Sequence, residues 1–369
     1  MKLPRHAALT SVVLAGALAL TACGSDDNTG DATSSADSGS AVSGTLNGEG
    51  SSAQKNAIEE ASSSFGDANP DAKVNYNPTG SGAGIKQFNA KQVDWAGSDS
   101  ALKTEAVDGV VEADAAKERC GGNEAWNLPM VAGPIAIAYN LPSVSKLILT
   151  PAVAGQVFLG TIKKWNDPAI AAINPGVTLP ATNISVFFRS DESGTTENLQ
   201  KYLVGSAPDV WKDKPSKVWP GKVGEGKAKS DGVSEGVKST EGGVTYVEWS
   251  YARDNKLGIA QIDNGGGATE LTGATAGAAV AAASIAGTGN DLRLKLDYAT
   301  KTPGVYPIVL VTYEVVCSKG LDAQKTTLLK AFLKHLADPA TQTSLEAIGY
   351  APLPAEIQTK VAAAVDAIS

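Results

Sequence analysis

The segment FFRSDESGTT, residues 187–196, gathers side chains that could bind a small anion. Arg189 supplies a permanent positive charge, and Asp191 follows closely enough to hold its guanidinium in place. The polar residues that come next are Ser193, Gly194 and Thr195. They precede an amphipathic pattern, so they should lie at a helix N-terminus, where backbone N–H groups lack partners and the helix dipole favours negative charge. A surface ion pair beside an ordinary helix cap is the alternative.

Two other segments repeat this arrangement of hydroxyl and glycine residues before a helix. LNGEGSSAQKNAIEEA places Ser51 and Ser52 there, and NPTGSGAGIKQF places Thr79, Ser81 and three glycines. Each cluster alone could be only an N-cap. Three clusters, one of which carries an arginine, indicate a site for a small oxyanion, because hydroxyls donate hydrogen bonds and glycine lets the backbone approach a ligand closely.

A carboxylate completes the candidate site. VDWAGSDSAL predicts a strand that ends at Ser98, so Asp99 should lie at the sheet edge where α/β proteins bind ligands. An aspartate at this position could equally cap the next turn. An ionised carboxylate can only accept hydrogen bonds, so a ligand of Asp99 would have to bring a proton.

Composition excludes several kinds of chemistry. Of two histidines, His6 lies in an N-terminal segment that we expect to be removed, which leaves His335 in an amphipathic helical pattern. One histidine cannot build a metal site that needs two, and the remaining histidine has no nearby partner that would indicate a Ser–His–Asp arrangement, so we expect no metal, no cofactor and no catalytic residue. The formal net charge of −8 would become −10 without Lys2 and Arg5, which disfavours binding to nucleic acid.

The N-terminus is typical of a secreted lipoprotein. Two basic residues precede an apolar run, residues 7–20, that is too short to span a membrane, and the segment closes with LTAC, residues 20–23. This ending resembles the bacterial lipobox, which implies that residues 1–22 are a signal peptide and that Cys23 is acylated. Residues 23–43 have almost nothing apolar to bury and should form a flexible tether. We therefore expect the protein on the extracytoplasmic face of the cell membrane, anchored by lipid.

Two further cysteines, Cys120 and Cys317, remain in the body of the chain. In an oxidising compartment an even pair suggests a disulfide. Two buried free thiols are the alternative.

Short apolar runs alternate with helical patterns along the body of the chain, which predicts the α/β class. The predicted strands are KVNYN, VDWAG, PIAIAYN, ISVFF, LGIAQI and PIVLVTYEVV. The predicted helices cover residues 53–65, 103–117, 152–159, 195–204 and 323–336. The length of this body is better suited to two lobes than to one core.

Four segments resemble, in order and spacing, the phosphate-binding proteins of the high-affinity phosphate ABC transporter. They are GSGAGIKQ, VDWAGSD, LGTIKKWNDPAIAAINPGVTLP and RSDESGTT. The resemblance implies a two-lobed periplasmic-binding-protein type II fold with two hinge crossings, near residues 131–138 and 304–307. Lobe one would comprise residues 44–132 and 305–369, and lobe two would comprise residues 133–304.

The same resemblance implies which residues contact phosphate. Those from lobe one would be Ser52, Ala53, Ser81 and Asp99. Those from lobe two would be Arg189, Asp191, Ser193, Gly194 and Thr195. Many family members have Thr-Phe where this chain has Ser52-Ala53, but the hydroxyl is kept and the Ala53 backbone N–H can still donate.

The implied function is the capture of inorganic phosphate and its delivery to the permease of an ABC transporter, without catalysis. A receptor for sulfate or another oxyanion could use the same donors, but Asp99 argues against sulfate, because sulfate has no proton to donate at neutral pH. An extracytoplasmic phosphatase would need a metal cluster or an activated nucleophile, and neither is evident. An adhesin or structural lipoprotein would explain the anchor but not the anion site.

Overall fold

The computed structural model describes residues 42–107, 109–221 and 223–369, which form a mixed α/β fold. The strands are β1 Gly44–Gly50, β2 Ala72–Asn77, β3 Trp95–Ser98, β4 Ala125–Tyr139, β5 Ile148–Leu149, β6 Ser185–Arg189, β7 Glu225–Lys227, β8 Gly243–Glu248, β9 Gly258–Ile259, β10 Gln261–Asp263, β11 Ala268–Thr269, β12 Ser284–Ile285, β13 Leu294–Lys295 and β14 Val309–Cys317. The predicted signal peptide, the acylated Cys23 and nearly all of the tether lie outside the described residues.

Helices connect these strands and cover the sheet. They are α1 Lys55–Ala68, α2 Ser81–Asn89, α3 Glu112–Arg119, α4 Pro151–Phe158, α5 Pro168–Ala172, α6 Gly194–Ser206, α7 Lys229–Lys238, α8 Trp249–Asp254, α9 Gly273–Ala281, α10 Ala323–Ala337, α11 Pro339–Ala347 and α12 Ala355–Asp366. Among the residues that the structure describes, none of these helices is long and apolar enough to cross a membrane.

The main sheet has nine strands in the order β2-β1-β3-β14-β4-β8-β6-β7, with β9 also paired to β4. β1 pairs in parallel with β2 and β3, and β6 pairs in parallel with β7 and β8. Antiparallel pairs between β3 and β14, β14 and β4, and β4 and β8 connect these two parallel groups. The ends of β1 and β3 and the end of β6 carry the residues of the candidate site.

β4 connects the two parts of the sheet. Its first part pairs with β14 as far as Pro134, and Ile135 begins the pairing with β8. The Ile135 N–H also donates to the Ile308 carbonyl oxygen at 2.8 Å, so both predicted crossings lie beside each other. A hinge near residues 131–138 would require the two crossing segments to lie side by side in this way. The lobe boundaries themselves stay a prediction.

Two large apolar cores flank this junction. One surrounds β6 and β8 and contains Phe158, Tyr202 and Tyr246. The other packs α1 and α10 on the opposite part of the sheet, with Trp95 and Phe332 at its centre. A third, smaller cluster joins α9 to β14. α9 and the β12–β13 hairpin therefore contact strands of predicted lobe one, although they fall within the sequence limits of predicted lobe two.

The predicted helix at residues 103–117 is wrong over its first half. The structure has helix only from Glu112, where α3 begins. Before it, Val107 and Val110 form a β-bridge, and Gly109 between them has φ +82°, a left-handed conformation that interrupts a helix. The Lys103 N–H donates to the Glu112 carboxylate at 2.9 Å, which closes the intervening loop onto the helix.

Candidate functional site

Asp99 follows β3 directly and accepts hydrogen bonds from three hydroxyls on three different segments. Its Oδ1 accepts from Ser51 Oγ at 2.5 Å and from Thr312 Oγ1 at 2.8 Å, and its Oδ2 accepts from Ser81 Oγ at 3.0 Å. Asp99 is only 3 % exposed. Burial raises its pKa to about 6, and the nearby charge of Glu248 adds to this effect while the hydroxyls oppose it. The carboxylate is therefore ionised at neutral pH but not strongly acidic.

The loop between β1 and α1 places two of the predicted residues beside Asp99. The Ala53 backbone N–H donates to Ser51 Oγ at 3.0 Å, and Ser51 in turn donates to Asp99. Ser52 faces the other side of the site, where its Oγ lies 3.0 Å from Ser230 Oγ. Both Ser52 and Ala53 are buried.

Arg189 ends β6 and is held by Asp191 through two hydrogen bonds. Its Nε donates to Asp191 Oδ1 at 2.8 Å and its Nη2 to Oδ2 at 2.5 Å. The Lys229 backbone N–H also donates to Asp191, at 2.8 Å. Although burial opposes the effect, the guanidinium lowers the pKa of Asp191. Arg189 is 2 % exposed, so a fixed cation lies inside the protein with one paired carboxylate.

The N-terminus of α6 packs on Asp99. Ser193 is the N-cap, and its Oγ accepts from the Thr196 N–H at 3.2 Å. Gly194 has no room for a side chain, because a Cβ would lie 2.5 Å from the Asp99 Cβ and 2.8 Å from Ser81 Oγ. Asn198 strengthens this contact, since its Nδ2 donates to the carbonyl oxygens of Asp99 and Gly194 at 2.7 and 2.9 Å.

The structure also brings into the site residues that sequence reasoning missed. Glu248, at the end of β8, accepts from Thr195 Oγ1 at 2.5 Å and from Ser230 Oγ at 2.6 Å. Ser230 is the second residue of α7 and accepts from Arg189 Nη1 at 3.3 Å. The segment around Ser230, KSDGVSEGV, also combines hydroxyl and glycine residues, but it forms α7 itself and does not precede a helix as the three clusters do. For Glu248 and Thr312 the local sequence carries no comparable signal.

Hydrogen bonds and packing contacts join all the predicted site residues into one cluster with a buried cation and buried carboxylates. They are Ser52, Ala53, Ser81, Asp99, Arg189, Asp191, Ser193, Gly194 and Thr195. The hydroxyls of Thr195 and Ser230 contact the arginine, and the N-terminus of α6 packs on Asp99, an arrangement suited to a small oxyanion. His335 is not part of this cluster. It lies on α10, beside the core that packs α1 and α10, where it hydrogen-bonds Ser64 and packs on Phe65.

The fold and this cluster define a two-lobed α/β solute-binding protein of the periplasmic type. Residues 35–340 match the family model described as the PBP superfamily domain. The phosphate-binding protein PstS 3 of Mycobacterium tuberculosis is 46% identical, and the match covers 100% of both chains. A PstS protein of Xylella fastidiosa is 32% identical over 79% of this chain and 77% of its own. The chain therefore belongs to the PstS phosphate-binding protein family within the PBP superfamily.

Solved structures agree on the fold. A high affinity periplasmic phosphate-binding protein bound with phosphate superposes with a TM-score of 0.69 at 20% identity, covering 87% of this chain and 93% of that one. A phosphate-binding protein from Stenotrophomonas maltophilia gives a TM-score of 0.64 at 19% identity, with the same coverage. At these identities the likeness concerns the fold alone.

Proposed function

We propose that this protein captures inorganic phosphate in the cluster around Arg189 and Asp99 and delivers it to the permease of an ABC transporter. The observation that carries the proposal is that the Arg189 guanidinium and the Asp99 carboxylate are both buried. They lie among the same hydroxyls and helix N-termini. Arg189 offers a fixed positive charge, and Asp99 offers an acceptor for the ligand's proton. The phosphate-binding names of the relatives support the same ligand.

The proposed contacts are those that the family resemblance implies. From predicted lobe one they are Ser52, Ala53, Ser81 and Asp99, and from predicted lobe two they are Arg189, Asp191, Ser193, Gly194 and Thr195. Asp191 acts through Arg189, because it holds two of the guanidinium nitrogens. The backbone N–H groups at the start of α6 then donate to the anion, since they have no partner within the helix.

Capture requires the two lobes to separate and close. In the structure, hydroxyls that we expect to contact phosphate bond to protein carboxylates, as Ser81 does to Asp99 and Thr195 does to Glu248. The entering anion would take the place of some of these partners. Lobe closure around it would exclude water, which strengthens each charged hydrogen bond.

We also propose that the protein acts outside the cytoplasm, anchored by an acyl chain on Cys23. The lipobox-like LTAC and the polar residues after it support this location. Labelled palmitate should be incorporated into the parent and not into Cys23→Ser. Equal labelling of the two proteins would contradict the anchor.

Calorimetric titration tests the proposed ligand. Phosphate should bind the purified protein with measurable heat, and sulfate should not compete at the same pH and salt concentration. We propose no catalysis, so p-nitrophenyl phosphate should not be hydrolysed, with or without added metal. Steady release of p-nitrophenol would favour a phosphatase, and the absence of phosphate binding would reject the proposal.

A further inference from the structure

Five residues form a closed ring of hydrogen bonds and ion pairs beside the N-terminus of α6. The Ser193 N–H donates to the Lys217 carbonyl oxygen at 2.9 Å, and the Lys217 ammonium contacts Glu112 Oε1 at 2.6 Å. Glu112 Oε2 accepts from the Lys103 N–H at 2.9 Å. The Lys103 ammonium donates to Glu197 Oε1, and the Glu197 N–H donates to the Ser193 carbonyl oxygen at 3.2 Å. The ring therefore begins and ends at the N-cap of α6.

This ring crosses twice between the two predicted lobes. Glu112 begins α3, and Lys103 lies between β3 and α3, so both belong to predicted lobe one. Ser193, Glu197 and Lys217 belong to predicted lobe two. Both crossings are ion pairs, and in each a lysine of one lobe meets a glutamate of the other. The two ion pairs have to break when the lobes separate.

We propose that Lys217 and Glu112 are positioning residues for phosphate capture: their ion pair joins the two lobes beside the anion site, holds the N-cap of α6 in place and slows release of the ligand. Neither residue is among the proposed phosphate contacts. The proposal rests on the proposed function, because it assigns residues that keep the proposed site closed.

Lys217 is suited to this role because its backbone and its side chain both take part. Its carbonyl oxygen accepts from the N–H of Ser193, and its ammonium reaches Glu112 in the other lobe. The side chains of Lys217 and Glu112 are 9 % and 17 % exposed, so water and salt screen their attraction less than they screen a surface pair. Because the pair exists only when the lobes are together, its loss should shift the protein towards the open state.

The second crossing depends on a buried carboxylate. Glu197 is fully buried in the first turn of α6, and its Oε1 accepts from Lys103 and, at 2.8 Å, from Lys201 of the same helix. Although burial opposes the effect, the charges of the two lysines lower the pKa of Glu197 to about 2. Separation of the lobes must remove Lys103 from an ionised carboxylate, so this pair also favours the closed state.

Glu112→Gln tests the proposal against a purely electrostatic effect. Glutamine keeps the length of the side chain, its amide oxygen can still accept from the Lys103 N–H, and the charge that attracts Lys217 is lost. Removal of a negative charge near an anion site would by itself strengthen phosphate binding.

We expect the opposite result for Glu112→Gln. Phosphate affinity measured by calorimetry should fall at least about fivefold, which is the lower end of typical coupling between two sites. The dissociation rate, measured by exchange of labelled phosphate, should rise by a similar factor, because differences in affinity between related complexes lie mostly in this rate. Unchanged or tighter binding in a variant that melts like the parent without phosphate would overturn the proposal.

A double variant shows whether the two residues act together. Lys217→Gln should weaken phosphate binding, and Glu112→Gln/Lys217→Gln should bind phosphate about as well as either single variant, because the ion pair can be lost only once. Losses that multiply in the double variant would show that the residues act independently, and would overturn the role of their ion pair.

Lys325→Gln is the matched control. Lys325 contacts Asp94 Oδ1 at 2.5 Å, and both residues lie in predicted lobe one, so this ion pair does not cross between the lobes. The substitution makes the same change in charge as Lys217→Gln and should leave the phosphate affinity unchanged. A loss as large as in Lys217→Gln would show that the removal of any lysine weakens binding, and would overturn the specific role of Lys217.

The melting temperature of the phosphate-free protein separates positioning from a general structural role. Because the ion pair breaks when the lobes separate, Glu112→Gln should melt like the parent without phosphate and below the parent with saturating phosphate. A lower melting temperature without phosphate, together with an unchanged dissociation rate, would identify a structural ion pair and overturn the proposal. Failure of the parent to bind phosphate would reject the proposed function as well, whereas normal binding and release in Glu112→Gln would reject only this inference.

Discussion

Gly194 lies so close to Asp99 that a Cβ built on the glycine would be 2.5 Å from the Cβ of the aspartate. The two residues come from the two predicted lobes: Asp99 directly follows β3, and Gly194 is the first residue of α6. Their contact brings the N-terminal donors of α6 against a carboxylate that needs a proton from its ligand. The anion site that we propose depends on this approach.

Gly194→Ala should therefore weaken phosphate binding, because the added methyl group holds α6 away from Asp99 and Ser81. We expect a loss of at least about tenfold in affinity, measured by calorimetry, since real Cβ atoms do not approach other atoms so closely. Gly277→Ala is a suitable control, because a Cβ there has nothing within 4 Å. Equal affinities of the two variants would show that this close approach is not needed.

Arg189→Ala should cost more binding free energy than Ser193→Ala. Removal of the neutral Ser193 hydroxyl should cost about 1 to 2 kcal/mol, whereas removal of Arg189 loses a charge-assisted donor and leaves Asp191 without its partner. Phosphate titration of both variants at one salt concentration measures the difference. Similar affinities would contradict the role given to the arginine.

Sulfate affinity should depend on pH through Asp99. Because burial raises the pKa of Asp99 to about 6, the side chain gains a proton as the pH falls towards 6 and can then donate to sulfate. Sulfate binding should strengthen by about tenfold for each pH unit between pH 8 and 6, and level off below that range. Asp99→Asn should lack this dependence. A flat sulfate profile in the parent would argue against proton-dependent exclusion at Asp99.

Cys120 and Cys317 are bonded to each other in the structure, across 197 residues of sequence. The chain-entropy model gives about 5 kcal/mol for a loop of this length, which is an upper limit because the reduced chain retains structure when unfolded. Reduction should lower the melting temperature measured by circular dichroism, and Cys120→Ala/Cys317→Ala should melt like the reduced parent. Two alkylatable thiols in the unreduced protein would contradict the bond.

Local sequence patterns were sufficient for the helix N-termini of the site. α1, α2 and α6 begin where hydroxyl and glycine residues precede an amphipathic pattern, because helix caps and apolar spacing are properties of neighbouring residues. The same reasoning failed at residues 103–111, where the helical pattern is interrupted by a glycine with positive φ and by a short β-bridge.

Contacts that depend on strand pairing were not predictable in this way. Thr312 lies within a continuous apolar strand, and it reaches Asp99 only because β14 pairs with β3 in the register that places Tyr313 opposite Ser98. β8, within EGGVTYVE, is absent from the strands predicted from the sequence, and its terminal Glu248 is therefore absent from the predicted site. The sequence around a glutamate does not indicate which distant hydroxyls will bond to it.

The most direct test of the account is the phosphate-to-sulfate affinity ratio of Asp99→Asn compared with the parent, measured by calorimetry at one pH and salt concentration. Asparagine can donate as well as accept, so phosphate binding should change little while sulfate binding improves. A site built around a ligand hydroxyl can reject the analogue without it by about 10⁴ to 10⁵, so the parent ratio should be large and should fall steeply in the variant. An unchanged ratio would contradict the claim that this carboxylate selects phosphate.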